Sequence, residues 1–483
     1  MSLSQAATEF LTGRPAGVSA VSRSAGLLTS WVENGFNCSV QRDPAGLPYM
    51  LVAERAGRGI RLTQSFTYSG GVLVGMTGDT IPTVFRAEVM GGQASVSGAG
   101  KRSQIPFRLF GQMQNSAGLL GVTAHATYEV PFDWIAVRLH VENMASTAQI
   151  NVLAALAVSN DGTAAPTAPS GAWNNVLFSG TAAHATTACT SGAGTNDAIP
   201  TDLVSDWLAL PSIPRTDGGT GRIIMLRQYV PAAGNTTGNR ADIASTSTAL
   251  SVLKAKGWFK AGDFVTTPAG FTTPSEWTMV PGVWLEFLSA SGAIVLMTSG
   301  DSTLQGSDGG PMPNVASGAR LASETLYGSV ALLNGGWASQ TSTAFYTNAL
   351  AKLTAIKPTL AAYCPWSPND ADKYTAAGIT RMRQQALLWL TACRAAGSTP
   401  ILLTPNPANG LNSTQEGFRR QMVAWVKSVC SAGMATLGDR DAVYTDYSTN
   451  TGGYKAGLFA TALHPNATGY ALEATQVWLP LLR

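Results

Sequence analysis

Two residues far apart in the chain have the types that nucleophilic chemistry needs. They are Ser302, in Ser299-Gly300-Asp301-Ser302, and His464, in Leu463-His464-Pro465-Asn466. A serine hydroxyl is a weak nucleophile until a base takes its proton, and imidazole is the side chain best suited to do so near neutral pH. His464 is the only histidine after His184. If the C-terminal part does serine chemistry with an imidazole base, it has no other candidate for that base.

The elements that would position these residues can be read around them. Ser302 follows an apolar run, 293–297, that breaks at glycine. Such a run reads as a buried strand delivering its next residues to a sheet edge. From there on the pattern alternates. Segments 330–333, 360–363, 401–403 and 442–444 read as strands. Helical spacing covers 341–357 (Phe345, Ala349, Leu353, Ile356), 413–430 and 468–479. The middle helix opens with a capping-box pattern, Ser413 to Glu416. Strand–helix alternation implies a parallel sheet covered on both faces, which binds ligands beyond its C-terminal strand ends.

The first 290 residues read differently. Short apolar or alternating runs at 60–66, 134–141, 223–226 and 283–288 lie between Gly- and Asp-rich turns. That pattern predicts a β-sandwich or jelly-roll-like region. Segment 161–200 reads as a long surface loop or decoration. The organisation expected is an N-terminal appendage over 1–45, a β-rich region over 46–290 and an α/β domain over 291–483.

Composition narrows the classes. The chain has 483 residues, too many for one core, and charged residues make up only 12%, about half the usual share. Apolar residues at 45%, with 12 Trp, exclude a disordered chain. A net charge of +3 without a Lys/Arg run argues against nucleic acid or an anionic membrane as partner. No apolar run reaches the roughly 18 residues needed to span a bilayer. The N-terminus carries Glu9 and no early Lys or Arg, unlike a signal peptide. The low charge and Gly/Ala/Thr richness suit an extracellular or virion-associated protein. Five scattered cysteines without a CxxC pair make a zinc or iron–sulfur site improbable and read as buried thiols. Asp308-Gly309-Gly310 lacks the alternating acids of a calcium loop. No cofactor is expected.

Four segments in order carry a resemblance: Gly300-Asp301-Ser302; 334–339 with Ser339; Ser367-Pro368-Asn369-Asp370; and His464-Pro465-Asn466. Together they resemble the SGNH, or GDSL, hydrolase family over about 190 residues. The resemblance implies a flavodoxin-like three-layer α/β/α domain and hydrolysis of an ester through an acyl-enzyme. It assigns the nucleophile to Ser302 and the base to His464. The donors of the oxyanion hole fall on the backbone N–H groups of Ser302 and Ser339 and on the side chain of Asn369. Two departures stand out. Ser339 replaces the family's glycine. Thr461 stands where the family has an aspartate, so a Ser–His dyad is expected unless another acid, with Asp446 the best candidate, orients the imidazole. Asp301 is expected to bond the turn backbone. His125, His140 and His184 are expected to be core or surface residues. Trp337 and Trp366 are expected to pack in the core or to offer platforms to sugar rings.

The substrate class implied is a small acyl ester, most plausibly O-acetyl on a polysaccharide. A phage tailspike deacetylase, which would suit a trimer, fits the same features. A short-chain esterase or lipase is the nearest rival. A noncatalytic carbohydrate-binding or adhesin protein with a decayed hydrolase fold is the rival from another class.

Overall fold

The apolar runs at 283–288 and 293–297 form one strand of 18 residues, Val283–Gly300. The computed structural model describes the backbone of five strands between residues 30 and 78, then residues 101–109 and 120–482. Excepted are 163–168, 191–196, 198, 236–239, 243–253, 278, 307–316, 327 and 449–452. In its first half the long strand pairs antiparallel with Ala136–Asn143 on one edge and Arg102–Phe107 on the other. In its second half it pairs parallel with Val330–Gly336 and Leu360–Tyr363. The sheet continues in parallel through Thr399–Leu403 to Thr436–Gly438. One eight-stranded mixed sheet therefore runs through both halves. The boundary expected at 290/291 falls inside the strand. The break in the apolar pattern at Ser289–Gly292 is a local irregularity in pairing, with Gly292 at φ +65°, and not a linker.

A second sheet has six strands, in the order Asn174–Asn175, Leu153–Ser159, Arg222–Val230, Val122–Val130, Ala255–Ala261, Ser275–Trp277. Its neighbours pair antiparallel. Ala126, Leu156 and Leu226 of this sheet share one buried cluster with Ile105, Leu139 and Phe287 of the larger sheet. The five N-terminal strands form a consecutive antiparallel sheet, and the boundary expected near residue 45 falls within it.

Central parallel strands are buried on both faces, so their side chains are apolar throughout. Val295, Leu296 and Met297 are fully buried, as are Leu360, Ala361 and Ala362. Around them lie helices Gly318–Thr325, Ser342–Ile356, Ala376–Ala395 and Ser413–Ser431. Phe345, Leu353, Met382, Trp389, Met422 and Val426 from these helices enter the same core.

Several expectations need correction. The capping box of the fourth helix is Asn412 with Gln415, one residue earlier than read. Glu416 is instead buried and ion-paired with Arg419 and Arg420 (both 2.7 Å). Residues 442–444 lie in a helix, Arg440–Tyr444, and the strand is Thr436–Gly438. A short apolar run reads the same in either state, and the Asp439 cap on the Ala442 N–H decides it. The last helix runs Ala467–Glu473, loosens into a π turn at Ala474–Trp478 and resumes at Leu479–Leu482. Segment 161–200 is not a plain surface loop. Val176 and Phe178 are buried, and His184 bridges Val152. Asp308-Gly309-Gly310 lies outside the described residues.

Candidate active site

The long strand ends at Gly300, and the chain turns at once into the short helix Ser302–Gln305. Asp301 makes the turn. Its carboxylate accepts from the Thr303 N–H (2.9 Å) and the Thr303 hydroxyl (2.8 Å), so it serves the backbone. Ser302 is left as the first helical residue, where a backbone N–H has no acceptor within the helix. No described residue accepts that N–H.

This helix stands against the end of strand Val330–Gly336. A Cβ on Gly336 would sit 2.2 Å from the Gln305 backbone nitrogen, and one on Gly335 would sit 2.1 Å from the Thr298 oxygen. Only glycine permits that approach. The strand then runs into the loop bearing Ser339. The Trp337 N–H donates to the Gly300 oxygen (3.0 Å), and the Asn334 side chain accepts from the Gly336 N–H (2.9 Å). Ser339 has φ +60°, which accounts for glycine being the usual occupant of such a position. No described residue accepts its N–H.

Asn369 follows strand Leu360–Tyr363. Its Nδ2 donates to the Gln340 carbonyl (3.0 Å), which also accepts from the Ser367 hydroxyl (2.9 Å). An amide nitrogen has two hydrogens, so one remains beyond that bond. Burial raises the pKa of the neighbouring Asp370, whose carboxylate accepts from the Ser342 N–H (3.1 Å).

His464 arrives on a loop held by aromatic packing. Tyr454 stacks on Phe459 (4.0 Å between ring centres), and Tyr444 meets Phe459 edge-on (5.3 Å). Bridges tie Thr445 to Tyr454 and Phe459 to Pro465. Asn466 then caps the following helix, accepting from the Gly469 N–H (2.9 Å). The result brings His464 Nε2 to 2.8 Å from Ser302 Oγ. The Thr461 hydroxyl accepts from the N–H groups of Leu463 (3.3 Å) and His464 (3.0 Å). It shapes the loop and carries no charge. Asp446 does not take up the acid's place. Its carboxylate is exposed, accepts from the Ser448 N–H (2.9 Å) and makes no hydrogen bond to His464.

Ser302 and His464 are thus in direct contact, while Ser339 and Asn369 are linked to each other through Gln340. Trp337 and Trp366 offer little surface. Trp337 is buried against Met144, and Trp366 packs on Tyr374. His125, His140 and His184 are all buried in the β-rich part. Among the described residues no group of three or more His, Cys, Asp or Glu is placed to hold a metal ion, and no helix is long and apolar enough to cross a membrane. Sequence reasoning missed Arg440. It is buried, ion-paired with Glu473 (3.2 Å) and bonded to the Thr303 hydroxyl (3.3 Å), tying the Ser302 turn to the last helices. No sequence pattern marks such a residue, because its partners lie far away along the chain.

No family model matches the chain, and no curated protein does. Among solved structures it is similar to a protein of the lipolytic G-D-S-L family from Desulfitobacterium hafniense, at 23% identity. That match has a TM-score of 0.32 and covers 38% of this chain and 96% of the other. A GDSL-like lipase from Bacteroides thetaiotaomicron is similar at 14% identity and TM-score 0.32, covering 39% and 87% respectively. A catalytic mutant of an acetylxylan esterase from Geobacillus stearothermophilus is similar at 17% identity and TM-score 0.31, covering 39% and 93%.

Proposed function

We propose that the chain is a serine ester hydrolase acting on small acyl esters through a Ser302–His464 dyad or incomplete triad. The observation that carries this reading is the 2.8 Å contact between hydroxyl and imidazole, made across 162 residues of sequence. It is supported by backbone N–H groups at Ser302 and Ser339 that no described residue accepts.

In the reaction, His464 Nε2 takes the hydroxyl proton as Ser302 Oγ attacks the ester carbonyl. The tetrahedral oxyanion is met by the N–H groups of Ser302 and Ser339 and by the remaining Asn369 amide hydrogen. His464 returns the proton to the departing alcohol, leaving an acyl-enzyme. Water, deprotonated by the same imidazole, releases the acid and restores the serine. With Thr461 bound to backbone, the imidazolium is held without a carboxylate from that position. A dyad of this kind loses rate, yet the oxyanion hole still contributes its own share.

The leaving group we favour is a sugar hydroxyl, freed from its O-acetyl ester at the surface of a cell or virion. The low charge and the β-rich half, read as a sandwich that handles carbohydrate, support this choice. Hydrolysis of p-nitrophenyl acetate by wild type and by Ser302→Ala tests the reaction. We expect the variant to lose about 10³-fold or more in kcat. Equal turnover by the two proteins would sink the enzyme reading in favour of a noncatalytic adhesin. Release of acetate from acetylated xylan, set against release of long-chain acids from triglyceride, separates the deacetylase from a lipase.

A further inference from the structure

The segment that carries Ser339 is held by residues that precede the long strand. It leaves strand Val330–Gly336 and reaches helix Ser342–Ile356 at Thr341. Residues that precede the long strand grip it at two points, and the strand before it at a third. Arg108 Nε donates to the Asn334 carbonyl (2.8 Å), and the same guanidinium is buried against Glu142 (2.7 Å). Met144 packs on Trp337. Asp197 Oδ1 accepts both the backbone N–H and the hydroxyl of Thr341, each at 2.9 Å.

The last of these grips bears on the chemistry. Thr341 occupies the N-cap position of its helix, yet its side chain makes no cap bond there; the hydroxyl goes to Asp197 instead. The N–H that Asp197 accepts belongs to the Gln340–Thr341 peptide unit. The carbonyl of that same unit accepts the Asn369 Nδ2. A planar peptide cannot turn its N–H without turning its C=O. Fixing the one therefore fixes the other, and with it the direction of the Asn369 amide. Ser339 directly precedes that peptide unit in the chain.

We propose that Asp197, from the β-rich half, is a positioning residue for the oxyanion hole, aligning Asn369 and Ser339 through the Gln340–Thr341 peptide. This inference rests on the serine-hydrolase reading given above. It gives the β-rich half a part in the chemical step, beyond any part in holding substrate.

Two readouts test it: steady-state hydrolysis of p-nitrophenyl acetate, and the rate at which a p-nitrophenyl alkylphosphonate inactivates the enzyme, since its tetrahedral oxyanion uses the hole. For Asp197→Ala we expect kcat and the inactivation rate to fall together by about tenfold to a hundredfold, with KM within about twofold of wild type. Asp197→Asn keeps the acceptor oxygen and recovers most of the loss. Wild-type kcat in a folded Asp197→Ala protein overturns the inference, as does Asp197→Asn being equally impaired. Should Asp197→Ala fail to fold, Thr341→Pro removes both the N–H and the hydroxyl bond at a backbone φ of −73° that proline adopts. A fall of about threefold or more in kcat at unchanged KM then supports the inference, and no change overturns it. Ser302→Ala separates the two claims. If that variant is inactive while Asp197→Ala is normal, only the positioning role falls. If it turns over like wild type, the hydrolase reading fails and the positioning role goes with it.

Discussion

Ser339 takes a left-handed backbone at φ +60° with a side chain attached. An L-residue there costs roughly 1–2 kcal/mol, and glycine gives back about 0.5–1 kcal/mol through the freedom it adds to the unfolded chain. Ser339→Gly is therefore expected to be neutral or stabilising by up to about 1 kcal/mol, seen as an equal or slightly raised Tm. Activity should stay within about twofold, because the donor role proposed for Ser339 falls on its backbone N–H. Asn369→Ala removes the side-chain donor proposed for the oxyanion hole, and on that proposal kcat should drop about 10²- to 10³-fold with little change in KM. The pair Ser302 and His464 was legible in the sequence because residue type and chain order single them out. The backbone-directed role of the Thr461 hydroxyl was not, since it depends on where the loop turns. Asp197 was invisible because neither its type nor its neighbours mark it, and its partner Thr341 is 144 residues away.

Among the elements, strand Val283–Gly300 meets strands Ala136–Asn143 and Thr201–Val204 through a buried histidine. Burial pulls the His140 pKa down, but hydrogen bonds to Asp202 (2.9 Å) and Glu286 (2.9 Å) outweigh it and hold the value above 6.5. Burial likewise pushes Glu286 up, and its bonds with His140 and Arg138 overcome this and hold it below 4.5. The signs then fix a window. The histidine's contribution is fully present below pH 6.5 and is lost as pH rises through its raised value. The glutamate's is present above pH 4.5 and is lost as pH falls through its lowered value. The stability difference between wild type and His140→Gln, from urea midpoints, should be largest between these limits and shrink on the alkaline side. A difference flat from pH 5 to 9 would contradict the assignment. A second buried network is built on helix Ser413–Ser431. Arg419 pairs with Glu416 and with Asp441 (both 2.7 Å), all three almost wholly buried. Arg419→Met removes the central cation, while Arg420 still reaches Glu416 (2.7 Å) and Lys427 lies 3.6 Å from Asp441, so a loss of about 3 kcal/mol is expected on chemical denaturation. The sequence showed this helix by its spacing but not helix Ala376–Ala395. The buried face there mixes Ile379, Met382, Ala386, Trp389 and Cys393, and neighbouring Leu387 and Leu388 blur its stripe.

At the scale of the whole molecule, the alternation after residue 293 foretold the parallel sheet. The break at Ser289–Gly292 concealed that this sheet extends into the β-rich half. Cutting the chain at 291, where two domains would separate, removes the first part of a strand and exposes the edge it completed. We expect residues 291–483 alone to be insoluble or lack a cooperative melt; a sharp transition from that fragment would show the halves to be independent. The same strand also dictates how the protein can change length in descent. Side chains alternate strictly along it, so losing or gaining one residue within 283–288 or 294–300 turns the rest of that stretch inside out. The slack at Ser289–Gly292, where pairing is already irregular, is the one place to absorb such an event. A scan of single-codon deletions, scored by soluble yield, should find one narrow permissive gap between two intolerant blocks, and the lineage's insertions should collect there.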